Sequence, residues 1–309
     1  MHERGIRKRL SSASGRVGQF LSPSPRLRPW FYVGPSLFLL FLFLVYPAIE
    51  TIVLSFFGPN SHQFVGLANY RYAFTDSTML TSFQNNAIWL VIFTIFTVAL
   101  GLVIAVLVDR VRYERVAKSV IFLPMAISMV GASVIWKFMY AFKPEGIAQI
   151  GLLNQIVVAF GGKPIAWLIH SPWNNVALIA VGVWLWTGFC MVVLSAALKN
   201  IPKQLLEAAR IDGANEWQVF LKVLLPLLWP TATVVTTTMI VFVLKIFDIV
   251  YVMTNGNYNT DVIANLMYKQ AFLFGNYGRA SAISVILLLV IVPMMWINIR
   301  RFKGQMEMR

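Results

Sequence analysis

The residues with the potential for catalysis are few and badly spaced for it. Gly162-Lys163-Pro164 comes closest to a phosphate-binding loop, but Val157 stands where its first glycine belongs and Pro164 replaces the serine or threonine that would hold magnesium. His2, His62 and His170 lie far apart in loops, none forms HExxH, and no GxSxG nucleophile elbow occurs. One cysteine, Cys190, excludes an intramolecular disulfide and a cysteine metal cluster; it sits in an apolar run and reads as packing. No catalytic residue, metal ligand set or bound cofactor is expected, and enzymatic activity in this chain is disfavoured. The segment 201–226 carries a different chemistry, that of docking. Pro202 suits the first turn of a helix with Leu205, Leu206, Ala209 and Ile211 on a partly apolar face, and Gly213 suits a left-handed stop. Trp217, Phe220, Leu221, Leu224 and Leu225 then recur at three- and four-residue spacing in a second helix, until Pro226 marks re-entry into the membrane. The small residues Ala208, Ala209, Gly213 and Ala214 at the bend would let another backbone approach closely.

The elements that must hold this bend are membrane spans. Of 309 residues, 58% are apolar and 12% charged, against about a quarter charged in a soluble domain. Six apolar runs reach the roughly 20 residues a spanning helix needs, and we place them at 31–55, 87–108, 119–141, 176–198, 228–252 and 280–299. The fold class is therefore all-α integral membrane: a segment 1–29 that reads as disordered and basic, a six-helix domain over 30–302, and a tail over 303–309. Segment 1–29 holds seven basic residues, and the run after it is too long for a signal peptide, so it reads as leading into an uncleaved first helix. Four basic residues lie in 109–118 (Arg110, Arg112, Arg115, Lys118), four in 199–226 (Lys199, Lys203, Arg210, Lys222) and four in the tail (Arg300, Arg301, Lys303, Arg309). The alternate loops hold only Arg71, Lys143, Lys163, Lys269 and Arg279. That asymmetry puts both termini, and the bend at 199–226, in the cytoplasm. A net charge of +14 scattered between apolar runs argues for topology and against a nucleic-acid partner. Residues 147–160, short and interrupted by Gln149, Gly151, Asn154 and Gln155, read as an interfacial helix of an outer loop.

Glu207-Ala208-Ala209, Asp212-Gly213-Ala214 and Leu225-Pro226 resemble the EAA signature of ABC-importer permeases. The stretch KIFDIVYVMTNGN at 245–257, with the loop and span after it, is similar to permeases of the sugar-uptake class, the α-glucoside type in particular. The pattern departs at Asn257, where many such permeases continue with Gly-Pro. The resemblance covers essentially all six spans. It implies that the bend is a coupling helix seated in a cleft of a cytoplasmic ATPase, with Glu207 facing a basic residue there; the alternative is that Glu207 complements its own helix or pairs with Arg210 at i+3. It also implies a second permease subunit, two copies of the ATPase holding ATP and magnesium, an extracytoplasmic sugar-binding protein, and a bacterial or archaeal cytoplasmic membrane.

Depth decides which polar residues in the spans could meet a sugar. Lys137 and Lys245 each lie 19 residues beyond a cytoplasmic marker, Lys118 and Pro226. At about 1.5 Å per residue that is roughly 28 Å, near the outer interface, where an ammonium can snorkel. Lys245 and Asp248, at i and i+3, could pair on one helix face. Nearer mid-membrane are Trp184, Trp186 and Thr187 on the fourth span and Thr236, Thr237 and Thr238 on the fifth. Those six, with Lys245 and Asp248, are the candidate substrate path, since a sugar site needs stacking faces and hydroxyl partners; packing and hydrogen bonds to the helix's own carbonyls are the competing uses. An ion-coupled secondary transporter is the rival reading, disfavoured because Glu50 and Asp248 lie toward the outer ends and leave mid-membrane without a carboxylate.

Overall fold

The computed structural model describes residues 28–109 and 111–307; the segment read as 1–29 falls outside them except for its last two residues, and so do the final two residues of the tail. The chain divides into two compact units, Met1–Val53 and Leu54–Arg309. In the first, α1 (Arg28–Leu40) continues through a π-helical turn at Phe41–Val45 into α2 (Tyr46–Leu54), giving an unbroken apolar helix over Tyr32–Leu54.

The second unit contains α3 (Ala68–Thr75), α4 (Ser77–Val108), α5 (Glu114–Phe122), α6 (Met129–Met139), α7 (Leu152–Ala159), α8 (Trp173–Lys199), α9 (Lys203–Ile211), α10 (Glu216–Val219), α11 (Leu225–Leu244), α12 (Asp248–Met253), α13 (Ile263–Tyr268) and α14 (Tyr277–Glu307). Among the described residues five helices are long and apolar enough to cross a membrane, or six if the bent pair α5 and α6 counts as one span. Extended sheet is absent there apart from a single bridge between Phe57 and Phe64.

Four boundaries differ from the hydropathy reading. The second span begins at Ser77 rather than 87, because Asp76 caps it by accepting from the amides of Thr78 and Met79 at 3.0 and 3.1 Å. Its first turns bury Ser82, Asn85 and Asn86 against protein partners, so they need no apolar sequence. The third span is not one rod: α5 and its short continuation Leu123–Ala126 meet α6 at 97°. Pro124 tightens the end of the first piece, and Ser128 restarts the helix by accepting from the Gly131 amide. The fifth span runs from Glu216 to Leu244 and stops short of 252; Ile246 turns inward, and α12 forms separately with Ile249 and Val250 buried. The last helix continues through Glu307, past the expected end at 299 and into the segment read as the tail.

The core forms where α4 and α8 lie side by side. Without a hydrophobic drive between helices in lipid, close backbone approach and dispersion hold such pairs, which favours small residues at the contact. At Gly101 an added Cβ would lie 2.5 Å from the Cys190 Cβ, so only glycine fits there. Around this crossing Trp89, Phe93, Leu178, Met191, Leu194, Met239 and Val243 are fully buried. At the end of α8 nearest α9, Glu114 pairs with Lys118 on its own helix and with Lys199 of α8 at 2.5 Å, tying α5 to α8.

Candidate functional site

The bend between α8 and α11 is built by local rules that the sequence states plainly. After α9, Gly213 takes φ +85°, the left-handed conformation glycine enters without cost. Its amide bonds to the Arg210 carbonyl at 3.0 Å and the Ala214 amide to the Ala209 carbonyl at 3.0 Å, the paired bonds of a Schellman stop. Asn215 then starts α10 with a reciprocal capping box: its side chain accepts from the Gln218 amide at 2.9 Å, and the Gln218 side chain accepts from the Asn215 amide at 3.0 Å. Arg210 spans the turn, its Nε donating to Glu216 Oε1 at 2.8 Å. The hydrogen bond to the Glu216 carboxylate, with its charge, raises the Arg210 pKa further, so the guanidinium stays charged throughout. Asn215-x-x-Gln218 is a capping signature that the sequence reading passed over, and Glu216 went unnoticed as the partner of Arg210.

The second helix is not separated from the fifth span at Pro226. The chain passes from α10 through a π-helical turn, Phe220–Leu224, directly into α11, with the Leu225 amide bonded to the Phe220 carbonyl. This wider turn removes the clash of the proline ring with the carbonyl four residues back. The second arm of the bend is therefore the first part of the fifth span.

The outer surface of the bend is uncovered. Glu207, Ala208, Asp212 and Gly213 are exposed, Ala209 and Ala214 half-buried, and Ile211 and Trp217 stand 85% and 67% exposed. Nothing lies within 4 Å of the position a Cβ would take on Gly213. Glu207 does not pair with Arg210, which is taken by Glu216; instead it lines, with Asp109, Lys203 and Arg210, a cleft of about 230 Å³ between α9 and the end of α4. Among the described residues no hydrogen bond or ion pair occupies the Glu207 carboxylate. Leu225 is half-buried and Pro226 exposed on α11.

The candidate path residues do not form one cluster. Trp184 and Thr187 line a groove of about 590 Å³ between α4, α5 and α8, with Trp184 edge-on to Trp136 at 5.6 Å. Trp186 points elsewhere, against Phe242 at 4.4 Å. The hydroxyls of Thr187, Thr237 and Thr238 donate to the carbonyls of Val183, Thr233 and Val234 on their own helices, at 2.6, 2.8 and 2.9 Å. Thr236, half-buried, has no such bond. Lys245 and Asp248 do not pair, because the helix stops between them and i, i+3 geometry is lost. Among the described residues no three His, Cys, Asp or Glu side chains converge as a metal set.

A polar network at the other end of α4 and α8 was not foreseen. Asp261, 4% exposed, pairs with Lys269 at 2.6 Å and accepts from Asn265 at 2.7 Å. Asn85 donates to the carbonyls of Asn259 and Asp261, and Asn174 to that of Tyr258. These bonds hold the turn after α12, in which Asn255, Gly256, Tyr258 and Asn259 all have positive φ. Asn85, Asn174 and Asn265, scattered along the chain, give no local signal of such a contact. The helix expected within 147–160 forms as α7, fixed by Asn154, which is fully buried and bonds to the backbone of Ala141 and Ile165 and to the Trp167 ring N–H.

Residues 98–299 match the family described as binding-protein-dependent transport system inner membrane component. The chain is 60% identical over 278 residues to the osmoprotective compounds uptake permease protein GgtC of Synechocystis sp., covering 90% of this chain and all of that one. It is 46% identical over 293 residues to the alpha-glucoside transport system permease protein AglF of Rhizobium meliloti, covering 93% and 87%. Its fold is similar to that of a chain in a bacterial alginate ABC transporter solved with an alginate pentasaccharide-bound periplasmic protein, with a TM-score of 0.77 at 20% identity over 88% of this chain and 94% of that one.

Proposed function

The chain belongs to the family of binding-protein-dependent transport system inner membrane components, and from that premise we propose that it is the permease subunit of an ATP-driven sugar importer, coupled to its ATPase through the bend at 203–219. The cargo is an α-glucoside or a glucosylated osmolyte, as the names of the two relatives suggest. The protein is a multi-pass inner-membrane component. Both termini and the bend lie in the cytoplasm, by the basic-residue asymmetry. A second permease completes the path, two ATPase copies hold ATP and magnesium, and an extracytoplasmic binding protein delivers the sugar. This chain supplies the path and the docking surface, and hydrolysis belongs to the partner.

The observation that carries this reading is a rigid bend with an uncovered face. Its turn is closed by its own backbone bonds and by the Asn215 capping box, while Glu207, Ile211, Asp212 and Gly213 are exposed and the Glu207 and Asp212 side chains make no hydrogen bond or ion pair among the described residues. A preorganised surface loses little conformational entropy on docking. The test is purification with reconstitution. An ATPase chain from a different gene co-purifies, and uptake stops on ATP depletion while tolerating collapse of the ion gradients. Uptake that survives ATP depletion and stops when the ion gradients collapse would refute the proposal in favour of an ion-coupled carrier.

A further inference from the structure

A groove of about 630 Å³ lies beside α6, walled by Val134 and Phe138 of α6, Ile150, Trp167, Ile169 and Val252. Its volume is within the range of small-molecule sites. The polar atoms of its aromatic walls are already committed, Trp167 Nε1 to Asn154 and the Tyr140 hydroxyl to the Ala177 carbonyl at 3.1 Å. What remains is apolar, with one charge: Lys137, the only ionisable side chain bearing a full charge in the lining. Its ammonium donates to the Val252 carbonyl at 3.1 Å, which leaves two of its three N–H groups. No carboxylate pairs with it among the described residues. The groove adjoins Ala166–Ile169, which precede the start of α8, so a helix of 27 residues, about 40 Å, separates it from α9 and the coupling bend.

We propose that this groove is a binding site for an anionic phospholipid, with an acyl chain along α6 and the phosphate on Lys137. An unpaired cation at the mouth of an apolar groove, near the end of a membrane-spanning helix, matches the two halves of such a molecule in charge and polarity. A sugar fits it poorly, since the polar side-chain atoms of Trp167 and Tyr140 in the walls are already bonded and the rest of the lining side chains, the ammonium aside, are apolar. The proposal requires only that the chain lie in a membrane; it is independent of the identity of the cargo and of the coupling bend.

The test uses the assembled transporter in vesicles of equal phosphatidylglycerol and phosphatidylcholine, re-extracted, with bound lipid quantified by mass spectrometry. Removing one lysine–phosphate attraction near the surface changes lipid preference about fivefold, so Lys137→Gln lowers retained phosphatidylglycerol by that factor and Lys137→Arg preserves it. Val134→Trp, at a position on the exposed rim, fills the groove and displaces lipid of both kinds. Unchanged phosphatidylglycerol preference in Lys137→Gln, or undiminished lipid in Val134→Trp, overturns the proposal, whatever either variant does to uptake.

Discussion

Replacing Gly213 by valine isolates the role of the bend. No atom lies within 4 Å of the new Cβ, so the penalty is backbone strain alone, that of a β-branched residue at φ +85°. Such a conformation costs about 2 kcal/mol for a non-glycine residue, which lowers the population of the intact turn relative to alternatives by about 30-fold. The two bonds of the Schellman stop, Gly213 to Arg210 and Ala214 to Ala209, are the ones released, and with them the angle between α9 and α10. The helices that cross the membrane are untouched. The assay is paired measurement of sugar uptake and ATP hydrolysis in reconstituted vesicles, with surface labelling to confirm insertion. Gly213→Val is expected to insert normally, to retain basal hydrolysis and to lose coupled uptake by up to about 30-fold. Gly213→Asn, tolerated in left-handed turns, is expected to stay near wild type. Normal coupled uptake in the valine variant would refute the reasoning, because it would mean that the geometry of the turn is immaterial to docking.

Glu207→Gln should leave thermal unfolding unchanged, since its carboxylate has no internal partner, while weakening retention of the ATPase during purification; equal retention would remove Glu207 from the docking surface. Asp261→Asn leaves Lys269 buried without its counter-charge and should destabilise the detergent-solubilised protein by about 3–5 kcal/mol, with the loss largely recovered by adding Lys269→Met; an unfolding midpoint that does not move would contradict the burial of the pair. Thr236→Val should raise the apparent KM for sugar by about two- to tenfold, the worth of one hydrogen bond, whereas Thr237→Val, whose hydroxyl is held by Thr233, should not; equal effects would show that the two hydroxyls do not differ as their bonding suggests. Trp184→Ala, which removes an aromatic face from the groove on α8, should also raise that KM, and an unchanged value would take Trp184 off the path.

What could be read from the sequence and what could not divide along a physical line. Apolar composition over 20 residues is enough to announce a span, because lipid leaves helix as the only open-ended solution. It does not announce where the span ends when protein rather than lipid surrounds the last turns, which is why Asn85 and Asn86 sit inside α4 although hydropathy begins the span after them. Gly213 was legible because a positive φ is a local requirement with few residue solutions. The continuity of α10 with α11 through Pro226 was not legible, because the effect of a proline depends on the turn before it and the wider turn at Phe220–Leu224 is not marked by any residue type. The break between Lys245 and Asp248 was equally hidden: it follows from Ile246, Ile249 and Val250 finding burial, a tertiary outcome. The Asp261–Lys269 pair is eight residues apart across two helical pieces, and the asparagines that surround it come from three separate helices and a loop.

If the bend docks as proposed, movement there could reach the path without a separate relay. α9 hangs from the end of α8 by the short link through Pro202, and α10 is continuous with α11. The same two long helices, α8 and α11, carry the candidate path residues Trp184, Thr187 and Thr236. They share a buried cluster that includes Met239, Val243 and Leu194, and Trp186 of α8 packs on Phe242 of α11. A close-packed contact of this kind transmits displacement rather than absorbing it. The Glu114 carboxylate, bonded to Lys118 and Lys199, binds α5 to the end of α8 just before the bend. A push on the surface around Gly213 therefore acts on α8 and α11 together and carries α5 with them. What lies beyond Leu244 is held differently, by the buried Asp261 network and by Lys137 on the Val252 carbonyl. The break at Lys245 thus separates the part of the fifth span continuous with the bend from a part tied to the Asp261 network, and on the proposed function it is between those two that a path lined by α8 and α11 would open.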